Sequence, residues 1–290
     1  MWQITKKYMK GLLPYTINVG GKLMDLGEPQ VMGILNVTPD SFYSASRKNT
    51  EQEIADRVQA ILAEGGSMID IGAYSSRPGA DDVSAEEEMN RLRGGLKILR
   101  DIAPDAVVSV DTFRADVAKM CVEEYDVQII NDISGGELDA RMFDTVAALG
   151  VPYILMHMKG DPQTMQNGPH YDDLLAEMLR YFGSKVQHLH ELGVKDVILD
   201  PGFGFAKTLE HNYELMNRMQ DLQVLELPML VGISRKSMIY RLLGTSPEEA
   251  LNGTSVLNTL ALLKGASILR VHDVKAAVEV VQIVKKMLAC

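Results

Sequence analysis

Residues 197–205 read "VILDPGFGF", an apolar run that ends in an acid and continues into proline and glycine. A nearly continuous apolar run, without alternation, is typical of a strand buried on both faces of a parallel sheet. The proline and glycine predict a turn directly after Asp200. The stretch therefore predicts a buried strand whose last residue is a carboxylate.

Seven more runs of the same kind occur, separated by segments with helical periodicity. In chain order, the eight runs are 31–38, 68–72, 107–111, 129–134, 153–158, 197–202, 229–234 and 268–273. A strand followed by a helix, repeated eight times in one chain, predicts an α/β fold of the (β/α)8 type, a TIM barrel. A doubly wound open sheet also alternates strands and helices, and it remains the alternative at this point.

Start and stop signals place several of the helices. Thr50 and Ser84 are each followed three positions later by glutamate, which predicts a helix cap at both residues. Pro247 is predicted to occupy the first helical position of a third helix. Two further segments, 171–192 and 274–288, are amphipathic.

An extension precedes the first of the eight runs. The segment "YTINVGGKLMDLGE" (15–28) has a glycine pair between two short extended pieces, which predicts a β-hairpin. We expect it to plug the bottom of the barrel or to lie at an edge. The predicted organisation is a hairpin extension over residues 1–28 and a single barrel domain over residues 29–290.

Composition limits the classes of partner and compartment. The 290 residues carry a net charge of −10, which disfavours a nucleic-acid backbone as the main partner. Cys121 and Cys290 are too few for a disulfide framework or a zinc site. There is no long apolar run and no signal-peptide pattern. We therefore expect a cytoplasmic protein that is neither secreted nor inserted in a membrane.

Polar residues follow every predicted strand. In a barrel these strand ends converge on one face, where active sites lie. A single aspartate at a strand end often only caps a helix or a turn. Eight polar strand ends are harder to explain in that way, because each buried unpaired group costs about 1–3 kcal/mol. A bound ligand would supply partners for Asn36, Thr38, Ser75, Ser76, Arg77, Asp111, Asn131, Asp132, His157, Asp200, Arg235, Lys236, Arg270, His272 and Asp273.

These residues divide by chemistry. Asp111, Asn131 and Asp200 offer acceptors that suit a flat heterocycle with N–H donors on one edge. The cationic side chains of Arg77, Lys236 and Arg270, with His272, suit a phosphate or pyrophosphate group. The sequence thus predicts a ligand with a donor-rich ring at one end and an anion at the other. Structural roles remain open for His157 and Arg235.

Eight short motifs resemble those of the dihydropteroate synthase family, in the same order, over residues 33–274. They are "GILNVTPDSF", "SSRPGA", "SVDT", "NDISGG", "HMKGDPQTMQ", "DPGFGFAK", "GISRKS" and "RVHDV". The resemblance implies a pterin-binding barrel and a sulfonamide-sensitive type of transferase in folate biosynthesis. Such an enzyme joins 6-hydroxymethyl-7,8-dihydropterin pyrophosphate to 4-aminobenzoate, releasing pyrophosphate, with Mg²⁺ as cofactor and as a homodimer.

The resemblance also implies roles for individual residues. For the pterin these are Asp111, Asn131, Met156, Asp200, Phe205 and Lys236. For the pyrophosphate they are Asn36, Ser76, Arg270 and His272, with Asn36 also holding Mg²⁺. For the aminobenzoate they are Phe42, Arg77 and Ser237, and the catalytic residues are Asp40, Arg77 and Lys236.

The chain departs from the family pattern at two places. Tyr74 stands where the family has an acid, and Ser76 replaces a threonine, so the second loop is expected to dock differently. The first loop reads "FYSAS" and is expected to be stiffer than in other members. Two other functions remain alternatives: methyl transfer from methyltetrahydrofolate to a corrinoid protein, and a non-catalytic pterin-binding paralogue.

Overall fold

Eight parallel strands close into a barrel, each followed by helix. The computed structural model describes residues 15–37, 47–74, 83–160 and 169–290, with the backbone alone for residues 47–50. After the hairpin strands β1 (Thr16–Val19) and β2 (Lys22–Asp25), the barrel strands are β3 (Gln30–Asn36), β4 (Met68–Gly72), β5 (Val108–Asp111), β6 (Ile129–Asp132), β7 (Tyr153–Met156), β8 (Val197–Asp200), β9 (Met229–Val231) and β10 (Ala266–Val271). Strand β10 pairs with both β9 and β3, which closes the circle and excludes an open doubly wound sheet.

The predicted strands agree with the observed ones at their starts better than at their ends. The run 68–72 coincides with β4, whereas the run 197–202 continues two residues beyond the end of β8 at Asp200. Residues after the strands bend into loops at the barrel mouth, where they are still apolar and buried. Hydrophobicity alone therefore extends the predicted strands into these loops.

The helices surround the barrel. They are α1 (Arg47–Ala63), α2 (Ala85–Ile102), α3 (Ala115–Tyr125), α4 (Met142–Leu149), α5 (Leu174–Glu191), α6 (Leu209–Arg218), α7 (Ser237–Leu243), α8 (Leu251–Leu263) and α9 (Val274–Leu288), with a 3-10 helix at Met219–Leu225. None of the helices in the described residues is both long and apolar enough to cross a membrane.

The capping predictions have mixed outcomes. Ser84 caps α2, since its hydroxyl accepts from the Glu87 N–H at 3.2 Å. The prediction for Thr50 is wrong, because α1 already begins at Arg47. Pro247 also lies outside its predicted helix, because α8 begins only at Leu251. The Pro247 carbonyl accepts from Arg235 at 2.8 Å and from the Ala250 N–H at 3.3 Å.

The N-terminal hairpin covers the bottom of the barrel. Gly20 and Gly21 form its turn with φ angles of 57° and 83°, a left-handed conformation that favours glycine. Ile17, Val19 and Leu26 pack against the lower interior of the barrel. The hairpin is therefore a plug, the first of the two positions expected from the sequence.

Inside the barrel, the side chains change from apolar to polar toward the carboxyl ends of the strands. The lower interior consists of Met32, Met68, Ile129, Ile154, Ile198, Leu230 and Ile268. The next layer lies two positions further along the strands. The strands β4, β6, β8 and β10, which alternate around the barrel, each contribute one side chain to it. These four residues, Asp70, Asn131, Asp200 and Arg270, are called the polar layer below.

The plug generates a stability prediction. Ile17 is 1% exposed, so Ile17→Ala is expected to lower the free energy of unfolding by about 2–5 kcal/mol through loss of packing and creation of a cavity. Denaturant unfolding measures this change. Leu23 lies on the same hairpin but is 78% exposed, and Leu23→Ala should change stability by no more than about 0.5 kcal/mol. Equal losses in both variants would contradict the plug.

Candidate active site

Arg270 lies between two carboxylates at the mouth of the barrel. Its Nε donates to Asp70 Oδ2 at 2.6 Å, and its Nη2 donates to Asp111 Oδ2 at 2.8 Å. Although burial opposes the charge, these two carboxylates raise the pKa of Arg270 above its ordinary value. The guanidinium is thus a fixed, permanently charged group in the polar layer.

Asp111 ends β5 directly above the polar layer. Burial raises the pKa of its carboxyl to about 7, against the opposing charge of Arg270. The nearby Asp70 carboxylate acts in the same direction as burial. Because only Oδ2 is bonded to Arg270, Asp111 retains acceptor capacity for a ligand donor.

Asp200, at the end of β8, combines a structural role with an accessible oxygen. Its Oδ1 accepts from the Gly202 N–H at 2.7 Å, which is the turn-capping role that a lone aspartate often has. No described residue donates to Oδ2. Burial raises the pKa of this carboxyl, and Lys236 opposes the shift. A ligand with N–H donors would pair the remaining oxygen without disturbing the turn.

Asn131, at 3% exposed, is the amide of the polar layer. Its Nδ2 donates to Asp70 Oδ2 at 3.0 Å. Its Oδ1 is buried and has no partner among the described residues. Like the free oxygens of Asp111 and Asp200, it is an acceptor that lacks a donor.

Lys236 reaches the same space from the loop after β9. Its Nζ donates to the Phe203 carbonyl and lies 4.6 Å from the centre of the Phe205 ring. Burial lowers the pKa of Lys236 to about 8, although the Asp200 carboxylate favours the charged form. Ser237 follows as the first residue of α7 and is partly exposed.

An apolar wall stands beside these polar groups. Met156 and Phe205, both expected at the pterin, belong to one cluster with Ile133, Met158, Ala206 and Phe113. Acceptors on one side and apolar side chains on the other suit a flat ring with donors along its edge. The structure thus brings together all six of the pterin residues expected from the sequence.

The expected anion side is less cationic than the sequence indicated. Burial lowers the pKa of His272 to about 4, and the charge of Arg270 adds to this effect. Its Nδ1 lies 3.1 Å from the Ser234 hydroxyl. His272 is therefore a neutral hydrogen-bonding group. Of the cationic residues expected here from the sequence, Arg270 and Lys236 remain among the described residues, and Arg57 lines the same cavity as His272.

The position of Asn36 suits a metal ion that is also bound to a substrate phosphate. Its side chain is exposed at the end of β3, beside a cavity of about 350 Å³ that His272 also lines. Within the described ranges, no three His, Cys, Asp or Glu side chains form a metal cluster. Mg²⁺ commonly uses one or two protein oxygens together with substrate phosphates, and a single amide oxygen fits that mode.

His157 and Lys207 form a buried pair behind the apolar wall. Lys207 Nζ lies 3.0 Å from His157 Nδ1 and donates to the carbonyls of Gly202 and Phe205, each at 3.1 Å. Burial lowers the pKa of His157, so its imidazole is neutral. The ring packs edge-on against Tyr181 at 4.9 Å. These contacts make His157 structural and show that Lys207 fixes the turn that carries Phe205.

Arg235 is also occupied by structural contacts. Its guanidinium forms two bonds to the Asp273 carboxylate, at 2.8 and 2.9 Å, and donates to the carbonyls of Pro247 and Glu248. Its φ of +54° is left-handed, which is uncommon for a non-glycine residue. The ion pair holds the loop after β9, and with it the adjacent Lys236.

The first-loop segment "FYSAS" lies outside the described residues, as do several expected residues: Thr38, Asp40, Phe42, Ser75, Ser76 and Arg77. Tyr74, the departure that precedes the second loop, is described. Its ring packs edge-to-face on Phe113 at 5.1 Å, and the Arg114 guanidinium lies 5.6 Å from its centre. An aromatic residue thus replaces the family's acid within an aromatic and cationic environment.

Two residues of this region, Asp70 and Lys207, were not among the candidates. Both are buried ionisable side chains in otherwise apolar or glycine-rich motifs, "MIDIG" and "DPGFGFAK". An acid in the middle of a buried strand is a signal that sequence inspection restricted to strand ends does not detect.

Comparison with known proteins agrees with this geometry. The family model described as "Pterin binding enzyme" matches residues 32–272. The dihydropteroate synthase of Escherichia coli is 41% identical over 273 residues, which cover 93% of this chain and 95% of that protein. That of Synechocystis is 40% identical, covering 93% and 94%.

Solved structures are similar along nearly the whole chain. The Yersinia pestis dihydropteroate synthase in a sulfonamide drug complex has a TM-score of 0.87 at 39% identity, covering 95% of this chain and all of that one. The Thermus thermophilus dihydropteroate synthase in complex with 4-aminobenzoate has a TM-score of 0.83 at 34% identity, covering 94% of this chain and all of that one.

The buried lysine generates a pH prediction. Burial lowers the pKa of Lys207 to about 7 from its ordinary 10.5. Between these values the unfolded chain binds a proton that the folded chain lacks, so the contribution of Lys207 to the free energy of unfolding rises with pH, by about 1.4 kcal/mol per unit. Relative to Lys207→Met, the natural chain should gain stability from about pH 7 to pH 9 in urea unfolding.

The matched control is Lys22→Met, which removes an exposed lysine from the hairpin. Its free energy of unfolding should change with pH in the same way as that of the natural chain. If the free energy of unfolding of Lys207→Met also has the pH dependence of the natural chain, the proposed shift in the Lys207 pKa is wrong.

Proposed function

This chain belongs to the family of pterin-binding enzymes, among the dihydropteroate synthases, and we propose that it condenses a 6-hydroxymethyl-7,8-dihydropterin pyrophosphate with 4-aminobenzoate. The products are 7,8-dihydropteroate and pyrophosphate, so the protein is a transferase of folate synthesis. The observation that carries the proposal is a set of acceptor oxygens that have no donor among the described residues, beside one apolar wall. They are Asn131 Oδ1 and the second carboxylate oxygens of Asp111 and Asp200.

The pterin fits this arrangement by its hydrogen-bonding edge. Its amino-pyrimidinone edge has two adjacent N–H donors, and a carboxylate accepts two parallel bonds with good geometry. Asp200 is the proposed partner, with Asn131 and Asp111 accepting further ring donors. Lys236 would donate to ring acceptors, while Phe205 and Met156 would pack against the ring.

The pyrophosphate would extend from the ring toward Arg270 and His272. Arg270 supplies a permanent charge and His272 a neutral N–H. Ser76 is proposed as a further donor. Asn36 is the proposed protein ligand of Mg²⁺, which when bound would neutralise charge on the phosphate oxygens.

The proposed chemistry requires no protein nucleophile. The bond between the pterin methylene and the diphosphate oxygen breaks first, and the dihydropterin ring delocalises the positive charge that remains. The amine nitrogen of 4-aminobenzoate then forms the new C–N bond and loses a proton. Arg270 and Lys236 favour departure of the diphosphate, because fixed cations stabilise the charge that develops there.

The loop residues complete this proposal. Asp40 is proposed to face the cationic intermediate and to accept the departing proton. Arg77, with Phe42 and Ser237, is proposed to hold 4-aminobenzoate, and Arg77 also to act in catalysis.

We also propose that two copies of the chain form a homodimer in the cytoplasm. Large apolar side chains are exposed together on the last three helices: Leu242, Leu243, Leu251, Val256, Leu260, Leu263, Ile283 and Met287. On α8, Val256, Leu260 and Leu263 recur at helical spacing and form one outward stripe. An apolar surface of this kind is typical of an interface, and two-fold symmetric dimers are the commonest oligomers.

The dimer has a direct test. Leu260→Glu places a charge in the middle of the stripe and is expected to halve the molecular mass measured by sedimentation equilibrium. Leu23→Glu, which changes an exposed leucine on the hairpin and not on the last three helices, should leave the mass unchanged. A natural chain that sediments as a monomer excludes the dimer.

The synthase activity is tested by pyrophosphate release. With the pterin pyrophosphate and Mg²⁺ present, release is expected to depend on 4-aminobenzoate. Asp200→Asn should lower kcat/KM for the pterin substrate by about ten- to a hundredfold, the usual effect of losing a bond to a charged group. The KM for 4-aminobenzoate should not change.

Asp196→Asn is the control. Asp196 directly precedes β8, at the end of the strand opposite to Asp200, and its carboxylate accepts from the Asn18 N–H of the hairpin. This variant should retain full activity. Pterin binding without aminobenzoate-dependent release would instead indicate a non-catalytic paralogue. Methyl transfer from methyltetrahydrofolate to a corrinoid protein would indicate the other alternative.

A further inference from the structure

Asp70 is the one member of the polar layer for which the proposed function supplies no task. It lies within β4, is fully buried, and accepts from both Asn131 and Arg270 through the same oxygen, Oδ2. We propose that Asp70 is a positioning residue: it orients the Asn131 amide so that its oxygen faces the pterin, and it anchors Arg270. This inference rests on the proposed function.

The orientation of the amide follows from the chemistry of the pair. An ionised carboxylate only accepts hydrogen bonds, so Asn131 must turn its NH₂ group toward Asp70. The opposite orientation would place two acceptor oxygens against each other in a buried layer. The Asn131 Oδ1 is therefore directed away from Asp70, and it is buried without a partner in the described part of the chain. A ring N–H of the ligand satisfies this oxygen.

The anchoring of Arg270 follows from how its donors are shared. Asp70 accepts from the Arg270 Nε, and Asp111 accepts from its Nη2. The guanidinium plane is therefore held from two sides. Without Asp70, Asp111 would be the only carboxylate within the described ranges that bonds to Arg270. Arg270 would then bond to Asp111 more strongly, and Asp111 would have one acceptor fewer for the pterin.

Asp70 thus links the two halves of the site. The same oxygen, Oδ2, contacts a residue of the pterin edge and a residue of the pyrophosphate end. The second oxygen of Asp70, Oδ1, is buried and has no partner in the described part of the chain, but this effect of Asp70 acts through Oδ2 and requires no contact with substrate. Its replacement should therefore act mainly on binding of the pterin, and hardly on 4-aminobenzoate.

The test is an exchange of the two side chains. Asp70→Asn removes the charge, and Asn131→Asp places two carboxylates against each other. Each single variant is expected to lower the affinity for 6-hydroxymethylpterin, measured by calorimetry, by tenfold or more. The double variant Asp70→Asn/Asn131→Asp restores an amide beside a carboxylate and again presents an acceptor to the ring. It should bind at least tenfold better than the weaker single variant.

Asp132→Asn is the matched control for loss of a buried carboxylate. The sequence placed Asp132 among the polar strand ends with a ligand as partner, but the structure corrects this. Asp132 is fully buried on the neighbouring position of β6, and both of its oxygens accept from protein donors, Tyr153 and Ser134 among them. This variant should lose thermal stability and keep its pterin affinity within twofold. The KM for 4-aminobenzoate should stay within twofold in Asp70→Asn.

Two results would overturn the inference. One is that Asp70→Asn binds the pterin as tightly as the natural chain does. The other is that the double variant binds the pterin no more tightly than the weaker single variant. If Asp70→Asn does not fold, the pterin affinities of Asn131→Asp and the double variant are sufficient to test the inference. If the natural chain is an active synthase, these results leave the proposed function standing. A natural chain that neither binds pterin nor releases pyrophosphate refutes both.

Discussion

The ion pairs of Arg270 with Asp70 and Asp111 are the constraint on which the mouth of the barrel depends. A charge in a barrel interior is costly unless it is paired and hydrogen-bonded, and one cation here is shared by two carboxylates. The pairing keeps the acceptors of the polar layer charged or oriented in the absence of ligand. It also explains why the polar groups lie at one end only, above an apolar interior that the hairpin closes.

Structural roles and proposed binding roles coincide in the same residues. Asp200 caps its own turn through one oxygen and leaves the other accessible, while Lys207 holds that turn from behind. Arg235 similarly pairs with Asp273 and so fixes the loop that presents Lys236. The choice between a turn residue and a ligand residue is therefore not exclusive at Asp200, because a carboxylate has more acceptor sites than the turn uses.

The sequence predicted the barrel, because strand and helix periodicity are short-range patterns. The six residues expected at the pterin came from the family motifs, and the structure brings them together at one end of the barrel. The run 68–72 is buried on both sides and coincides with β4. Predictions about boundaries were weaker. Thr50 and Pro247 have the residue types of helix starts, but α1 begins earlier and α8 later. Pro247 lies instead in a turn before α8, where its carbonyl accepts from the Ala250 N–H and from Arg235.

By itself, the sequence determined the order of strands and helices, the polar character of each strand end, and the family through its motifs. Only the tertiary structure decided which of those polar groups are free for a ligand. Arg235 and His157 are engaged by distant residues, and His272 loses its charge through burial. Asp70 gains its importance from side chains 61 and 200 residues away along the chain. Hydrogen-bond partners and burial depend on barrel closure, which no local pattern specifies.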